Sequence, residues 1–286
     1  MKKIQFTLIG KTILVLKISL VAYLLITVLP HKDFSNFHIE NTFYWFVFAG
    51  FVAQMIDGAL GMAYGVSSST ILLNIGIPPK IASASVHTSE VFTTGVSGLM
   101  HLRLDNVDKP LFRRLVFTGV LGSVLGAYLI SEVFDGNIIK PYVAMYLLVL
   151  GVIILSKGIG NKIKENKNIK NVKLLAFIGG FLDAVGGGGW GPIVTSNLIN
   201  QGGTPSKTIG TVNTAEFFVT FFSTGVFIAF IGVKHWDIVL GLILGGVIAA
   251  PFGALLAKKM DRRVLMLLVG ILIVLTSIYT IYKTLS

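Results

Sequence analysis

Apolar residues gather in long runs along this chain: Ile13–Leu29, Leu115–Ile130, Tyr142–Leu155, Phe217–Gly232, Ile238–Leu256 and Val264–Ile281. Several of them reach or approach the ~20 residues that a helix needs to cross a ~30 Å hydrocarbon core. Between them lie polar stretches too short for a separate soluble domain. Two further stretches, 42–76 and 173–200, mix apolar residues with clustered Gly, Pro and Ser. That composition suits a helix that breaks inside protein rather than in lipid.

The broken stretches belong to a duplication. Shifted by 126 positions, Asp57–Ser97 aligns with Asp183–Ser223 without a gap, and 13 of the 41 pairs are identical. Shared hydrophobicity would match Leu, Val and Ile, but not Asp57/Asp183, Asn74/Asn200, Pro79/Pro205 and Glu90/Glu216 in register. The chain is therefore read as two repeated halves.

Composition agrees with a membrane location. Of 286 residues, 53% are hydrophobic and only 13% charged, whereas a soluble domain carries charge at about a quarter of its positions. The formal charge of +11 changes the picture in one way. It resides in short loops, so it reads as orientation rather than as a nucleic-acid surface. The basic stretches are the N-terminal arm, Arg103–Arg114, Lys157–Lys173 and Lys258–Arg263; the near-neutral ones are His31–Asn41, Ser131–Lys140 and Gly232–Asp237. By the positive-inside rule the first set is cytoplasmic and the second external. Met1-Lys-Lys and the run from Ile13 superficially resemble a leader. Lys17 interrupts that run and no small-x-small site follows it, so a retained first helix is expected.

With loops so assigned, 42–76 and 173–200 must each begin and end on one side. At ~1.5 Å per residue, the arms of the second reach only ~21 Å, so it reads as a re-entrant hairpin. The first is a re-entrant hairpin or two short spans. Each half becomes one hairpin followed by three spanning helices, and three is odd. The second half therefore enters from the opposite face, giving an inverted-topology repeat.

Polar chemistry concentrates in the repeated motifs, Ser85-Val-His-Thr-Ser-Glu-Val-Phe-Thr-Thr94 and Thr211-Val-Asn-Thr-Ala-Glu-Phe-Phe-Val-Thr220. Positions 87, 90 and 94, and likewise 213, 216 and 220, share a helix face. An intramembrane acid costs at least ~2.5–3.5 kcal/mol, so Glu90 and Glu216 are either proton sites on a pathway or carboxylates that cap hairpin amides. Asp57 and Asp183 precede each glycine-rich break, where a helix-end cap is favoured over substrate contact. In Gly186-Gly-Gly-Gly-Trp-Gly-Pro192 the bare amides of Gly187, Gly188, Gly189 and Trp190, before a restarting helix, suit an anion; the alternative is tight helix crossing. Thr195, Ser196 and Asn197 add donors there, and Ser67, Ser68 and Ser69 do so in the matching segment. His87, Thr88, Asn213 and Thr214 complete the candidate substrate contacts. His31, His38, His101 and His235 fall at loops or helix ends and carry little signal.

Absent cysteines exclude disulfides and thiolate chemistry. No histidine–carboxylate spacing suggests a metal, and no nucleotide loop or nucleophile elbow occurs. Neither cofactor nor metal is expected. Gly122-x-x-x-Gly126 and Gly241-x-x-x-Gly245 suit close helix packing, within the chain or between protomers.

Met55-Ile-Asp-Gly-Ala-Leu-Gly-Met-Ala-Tyr-Gly65, Asp183-Ala-Val-Gly-Gly-Gly-Gly-Trp-Gly-Pro192 and Gly210-Thr-Val-Asn-Thr-Ala-Glu-Phe217 resemble the sulfite exporter TauE/SafE family of membrane transporters. The likeness covers roughly residues 45–283. It implies transport of sulfite, thiosulfate, organosulfonates or related anions, with the paired hairpins as substrate site.

The expectation is an all-α polytopic membrane protein of seven spanning helices and two hairpins. It comprises an N-terminal arm, helix and external loop (1–41), repeat 1 (42–158), a basic linker (159–172) and repeat 2 (173–286). The N-terminus is cytoplasmic and the C-terminus external, in the cell membrane. Its partners are a small anion and lipid, with room for proton coupling and for a homo-oligomer, and no nucleic acid. An anion channel, or a membrane enzyme using paired carboxylates, stays as the alternative.

Overall fold

The computed structural model describes residues 8–28, 41–60, 62–159, 170–232, 235–259 and 262–285, and no strand occurs among them. The basic linker lies outside the described residues except at its ends, as do the N-terminal arm and most of the first external loop. Helix α1 (Leu8–Val28) precedes a first broken pair, α2 (Asn41–Leu60) and α3 (Tyr64–Asn74). Then come α4 (Pro79–Arg103), α5 (Lys109–Tyr128, extended by a wider π turn over Leu129–Val133) and α6 (Gly136–Ile159). The second series runs α7 (Val172–Gly186), a π turn at Gly191–Thr195 leading into α8 (Ser196–Asn200), α9 (Pro205–Ile231), α10 (Trp236–Lys259) and α11 (Arg262–Leu285).

Local signals explain the matching order. Pro79 and Pro205, equivalent in the repeat, each open a long helix, where a missing N–H costs nothing. Gly76 and Gly202, also equivalent, hold φ of 97° and 95° and turn the chain out of each broken pair. The amides of Ile77 and Gly203 then bond to the carbonyls of Leu72 and Leu198, at 3.0 and 2.9 Å. Only glycine adopts that left-handed turn without strain.

Five described segments are long and apolar enough to cross a membrane: Leu8–Thr27, Lys109–Val133, Ile138–Ile159, Lys207–Ile231 and Met266–Lys283. Helix α4 has the length, 25 residues, but its Ser, Thr, His and Glu make it too polar on composition. Those side chains point inward: Ser83, Ser85, His87, Thr88, Ser89 and Glu90 are all buried. Large apolar residues such as Phe117, Tyr142, Val247, Leu275 and Tyr282 face outward. Polar centre and apolar exterior reverse the pattern of a soluble protein and match a lipid surround. The chain is an all-helical, multi-pass membrane protein.

Packing runs between the halves. Helix α2 lies along α10, α5 along α7, α4 across α9 and α6 along α11. Exchanging the halves maps α2·α10 onto α7·α5 and leaves the other two pairs unchanged. Both glycine motifs serve contacts inside the chain: Gly122 and Gly126 of α5 meet the α7 backbone at Phe177 and Phe181, and Gly241 and Gly245 of α10 meet α2 at Phe46 and Val47. A side chain at Gly122 would collide with the Phe177 carbonyl. Gly122→Val is expected to cost about 1–3 kcal/mol through overpacking, read as a lower thermal midpoint in detergent. Gly225→Ala, whose added methyl meets nothing within 4 Å, should leave the midpoint unchanged or raise it.

Candidate functional site

The two helix breaks meet at the centre of the protein. Gly65 opens α3 against Gly188 so closely that a Cβ on Gly65 would sit 2.7 Å from the Gly188 Cα. Each break is held by a carboxylate from the helix before it. Asp57 of α2 accepts the backbone amide of Tyr64, and Asp183 of α7 accepts that of Trp190 at 2.9 Å. These bonds are equivalent in the repeat. Glu90 of α4 accepts the next amide, Gly65, while its buried Oε2 has no partner among the described residues. Glu216, its counterpart on α9, receives no hydrogen bond from a described residue to its carboxylate.

The glycine-rich turn of the second pair is braced from all sides. Ser69 donates to the Gly187 carbonyl, Ser83 to that of Ala184 and Tyr146 to that of Gly188 at 3.0 Å. Lys157 donates to Pro192 at 3.2 Å, where the π turn leaves a carbonyl free. The Trp190 indole is fully buried and donates to Val212 at 3.3 Å. His87 places Nε2 3.1 Å from Asp183 Oδ2 and Nδ1 2.9 Å from the Ser83 carbonyl. The ligand-type atoms of His87, Glu90 and Asp183 lie within 4.8 Å of one another, with His87 and Asp183 in direct contact.

Beside this knot a cavity of about 320 Å³ runs between α4 and α9, with α2 and α3 forming its other wall. Asp57, Glu90 and Glu216 carry its negative charge. Gln54, Thr93, Ser97 and Asn213 supply neutral polar groups, and His101 stands near the end of α4. Asn213 donates to Ser97 at 3.2 Å, leaving the Ser97 hydroxyl proton to point elsewhere. The Nδ1 of His101 and the Oε1 of Gln54 have no partner among the described residues. No Lys or Arg lines the cavity among the described residues. The space holds several waters or a small oxyanion.

Of the substrate contacts expected from the sequence, only Asn213 lines this cavity, together with three of the four carboxylates. Ser68 bonds back to Tyr64 of its own helix, Thr88 to Ala84, Thr214 to Gly210 and Asn197 to Ile193. Ser69 and His87 are spent on the knot. Ser67, Thr195 and Ser196 are buried with hydroxyls that meet no partner, away from the cavity. Gly187, Gly188 and Gly189 are buried against α3, α4 and α6, and Trp190 against α5, α7 and α9. The Trp190 amide, expected to face an anion, is instead taken by Asp183, as the equivalent Tyr64 amide is by Asp57 and the Gly65 amide by Glu90. Gln54, Tyr64, Thr93, Thr94, Ser97, His101 and Ile209 line the cavity without having been expected to. One signal was available for four positions of α4: residues 90, 94, 97 and 101 fall on one helix face.

A family model described as "Sulfite exporter TauE/SafE" matches residues 46–280. The chain is 42% identical over 246 residues to "Probable membrane transporter protein YtnM" of Bacillus subtilis (strain 168), covering 82% of this chain and 81% of that protein. To "Probable membrane transporter protein YunE" of the same organism it is 20% identical over 264 residues, 83% of this chain and 96% of the relative. With "Sulfite exporter TauE/SafE family protein 3" of Arabidopsis thaliana it shares 23% identity over 133 residues, 45% of this chain and 28% of that one. No solved structure matches.

Proposed function

The chain belongs to the sulfite exporter TauE/SafE family of membrane transporters, and from that premise we propose that it carries a small sulfur-containing oxyanion or organosulfonate by alternating access, together with a proton. The observation that carries this reading is the cavity, whose wall sets neutral hydrogen-bonding groups beside Asp57, Glu90 and Glu216. Neutral donors at Gln54, Ser97 and Asn213 can hydrogen-bond an oxyanion. The carboxylates around them would repel one unless a proton arrives with it, because like charges at short range in a weakly screened site are costly. Glu216, without a hydrogen-bond partner among the described residues, is the group proposed to take that proton.

Orientation follows from the loop charges. The N-terminus lies in the cytoplasm, the C-terminus outside, and α1, α4, α5, α6, α9, α10 and α11 span. The pairs α2/α3 and α7/α8 enter from opposite faces as an inverted repeat, a reading supported by a packing pattern that survives exchange of the halves. On this orientation the His101 and Ile209 end of the cavity is cytoplasmic. Gly65, whose amide Glu90 accepts, packs on Gly188, and that backbone contact is proposed as the gate of a transporter rather than of an open channel.

Flux into proteoliposomes, with sulfite, thiosulfate and a sulfonate tested separately, checks the reading. Saturable counterflow of at least one is expected, and uptake should rise as the side of ingress is acidified. If none is moved or bound, the anion assignment fails. Glu216→Gln should flatten the pH profile, since its amide cannot accept the proton; a profile like that of the unaltered protein removes Glu216 from coupling.

A further inference from the structure

His87 sits between two acceptors. Its Nδ1 lies 2.9 Å from the Ser83 backbone carbonyl, which can only accept, so Nδ1 carries a hydrogen. Its Nε2 lies 3.1 Å from Asp183 Oδ2. The other Asp183 oxygen accepts the Trp190 amide. A bare Nε2 facing an ionised carboxylate would set lone pair against lone pair, so this contact needs a hydrogen too. The pair is therefore either imidazolium with carboxylate or imidazole with carboxylic acid. In both forms it holds one proton more than a neutral histidine beside an ionised aspartate.

The position of this proton is unusual. One residue along α4, Thr88 lines a small recess of about 30 Å³ at the other end of the helix from His101, with Ser85, Phe227 and Trp236. The Phe227 ring packs edge-on against His87 at 5.6 Å. Three residues along, Glu90 lines the large cavity and keeps Oε2 buried and unpartnered, within the same 4.8 Å cluster as His87 and Asp183. The ionisable neighbours are Asp57 from α2, Tyr64 from α3, Tyr146 from α6 and Glu216 from α9. None of them is basic.

We propose that His87 and Asp183 share one buried proton, which passes to Glu90 Oε2 and back, so that the trio carries protons between the outer recess and the inner cavity. In the forward step the proton leaves the shared position and binds Glu90. That leaves Glu90 uncharged and, transiently, a bare His87 Nε2 against the ionised Asp183, and the lone-pair repulsion between them drives recapture of a proton. Ingress from the recess restores the pair. The trio would thus supply, through the cavity that Glu90 and Glu216 both line, the proton that Glu216 takes up in the transport proposed above. It deepens that reading, although the shared proton itself requires no substrate.

Nitrogen NMR of histidine-labelled protein in lipid tests the first claim directly. Five histidines contribute, and His87→Gln assigns the relevant signal. One histidine is expected to carry hydrogen on Nδ1 and a shared hydrogen at Nε2. Asp183→Asn should turn it into a plain neutral ring. A wild-type His87 with a bare Nε2, or a metal bound in stoichiometric amount, overturns the proposal. In vesicles holding a pH-sensitive dye, the number of protons moved per sulfite should fall at least tenfold in Asp183→Asn; an unchanged ratio overturns the coupling role. Should the unaltered protein move no sulfite, the anion reading falls, whereas the NMR result still decides the shared proton. The wild-type spectrum also decides it if Asp183→Asn fails to fold.

Discussion

Asp183→Ala is expected to destabilise the protein by about 3–5 kcal/mol, the cost of removing one partner from a buried charged pair. Three contacts end together: the bond to His87, the cap on Trp190 and the support of the turn between α7 and α8. His87 would be left facing a void with one nitrogen unpaired in the protein interior. Trp190, fully buried, would lose the amide bond that fixes its backbone. Thermal unfolding in detergent reads the loss as a large fall in midpoint. His87→Ala combined with Asp183→Ala should cost less than the sum of the single changes, since the first already removes the group the second strands. Strict additivity would mean that the two residues do not support each other.

Gly188→Val should be comparably severe for a different reason. Any Cβ at position 188 would occupy the place of the Gly65 carbonyl carbon and the Val66 nitrogen. Backbone cannot swing aside as a side chain can, so the two breaks would have to part. Overpacking of this kind costs about 1–3 kcal/mol and sometimes more. Here it also opens the backbone contact proposed above as the gate. Two measurements separate these effects: the thermal midpoint should fall, and any folded fraction should leak anion without saturation. A variant that is stable and transports normally would show that the breaks do not touch in the working protein.

Much of this architecture was legible in the sequence because it repeats. Asp57 and Asp183, Pro79 and Pro205, and Gly76 and Gly202 each recur at the same offset, and each pair does the same local job at a helix end. Such roles depend on near neighbours in the chain. The roles that were not legible depend on distant ones. Ser69 and Gly187 meet across 118 positions, and His87 and Asp183 across 96. Neither pairing has a periodic signature. The serines at 67–69 looked like free donors, yet hydroxyls in a helix readily bond back to the preceding turn, as Ser68 does. His101 looked like a loop residue because it stands in the last turn of α4; only the approach of α9 makes that turn a cavity wall.

The cross-packing of the halves also bears on biogenesis. Helix α2 leaves the ribosome long before α10, on which its Gly50 face lies against the Leu242 backbone. At roughly 5–20 residues per second, that interval is on the order of tens of seconds. For all that time the face of α2 that carries Gly50 and Gln54 must reside in the membrane without the helix that will cover it. The first half is thus an orphan until the second is synthesised. Factors that shelter unpartnered helices during insertion have their natural client in α2.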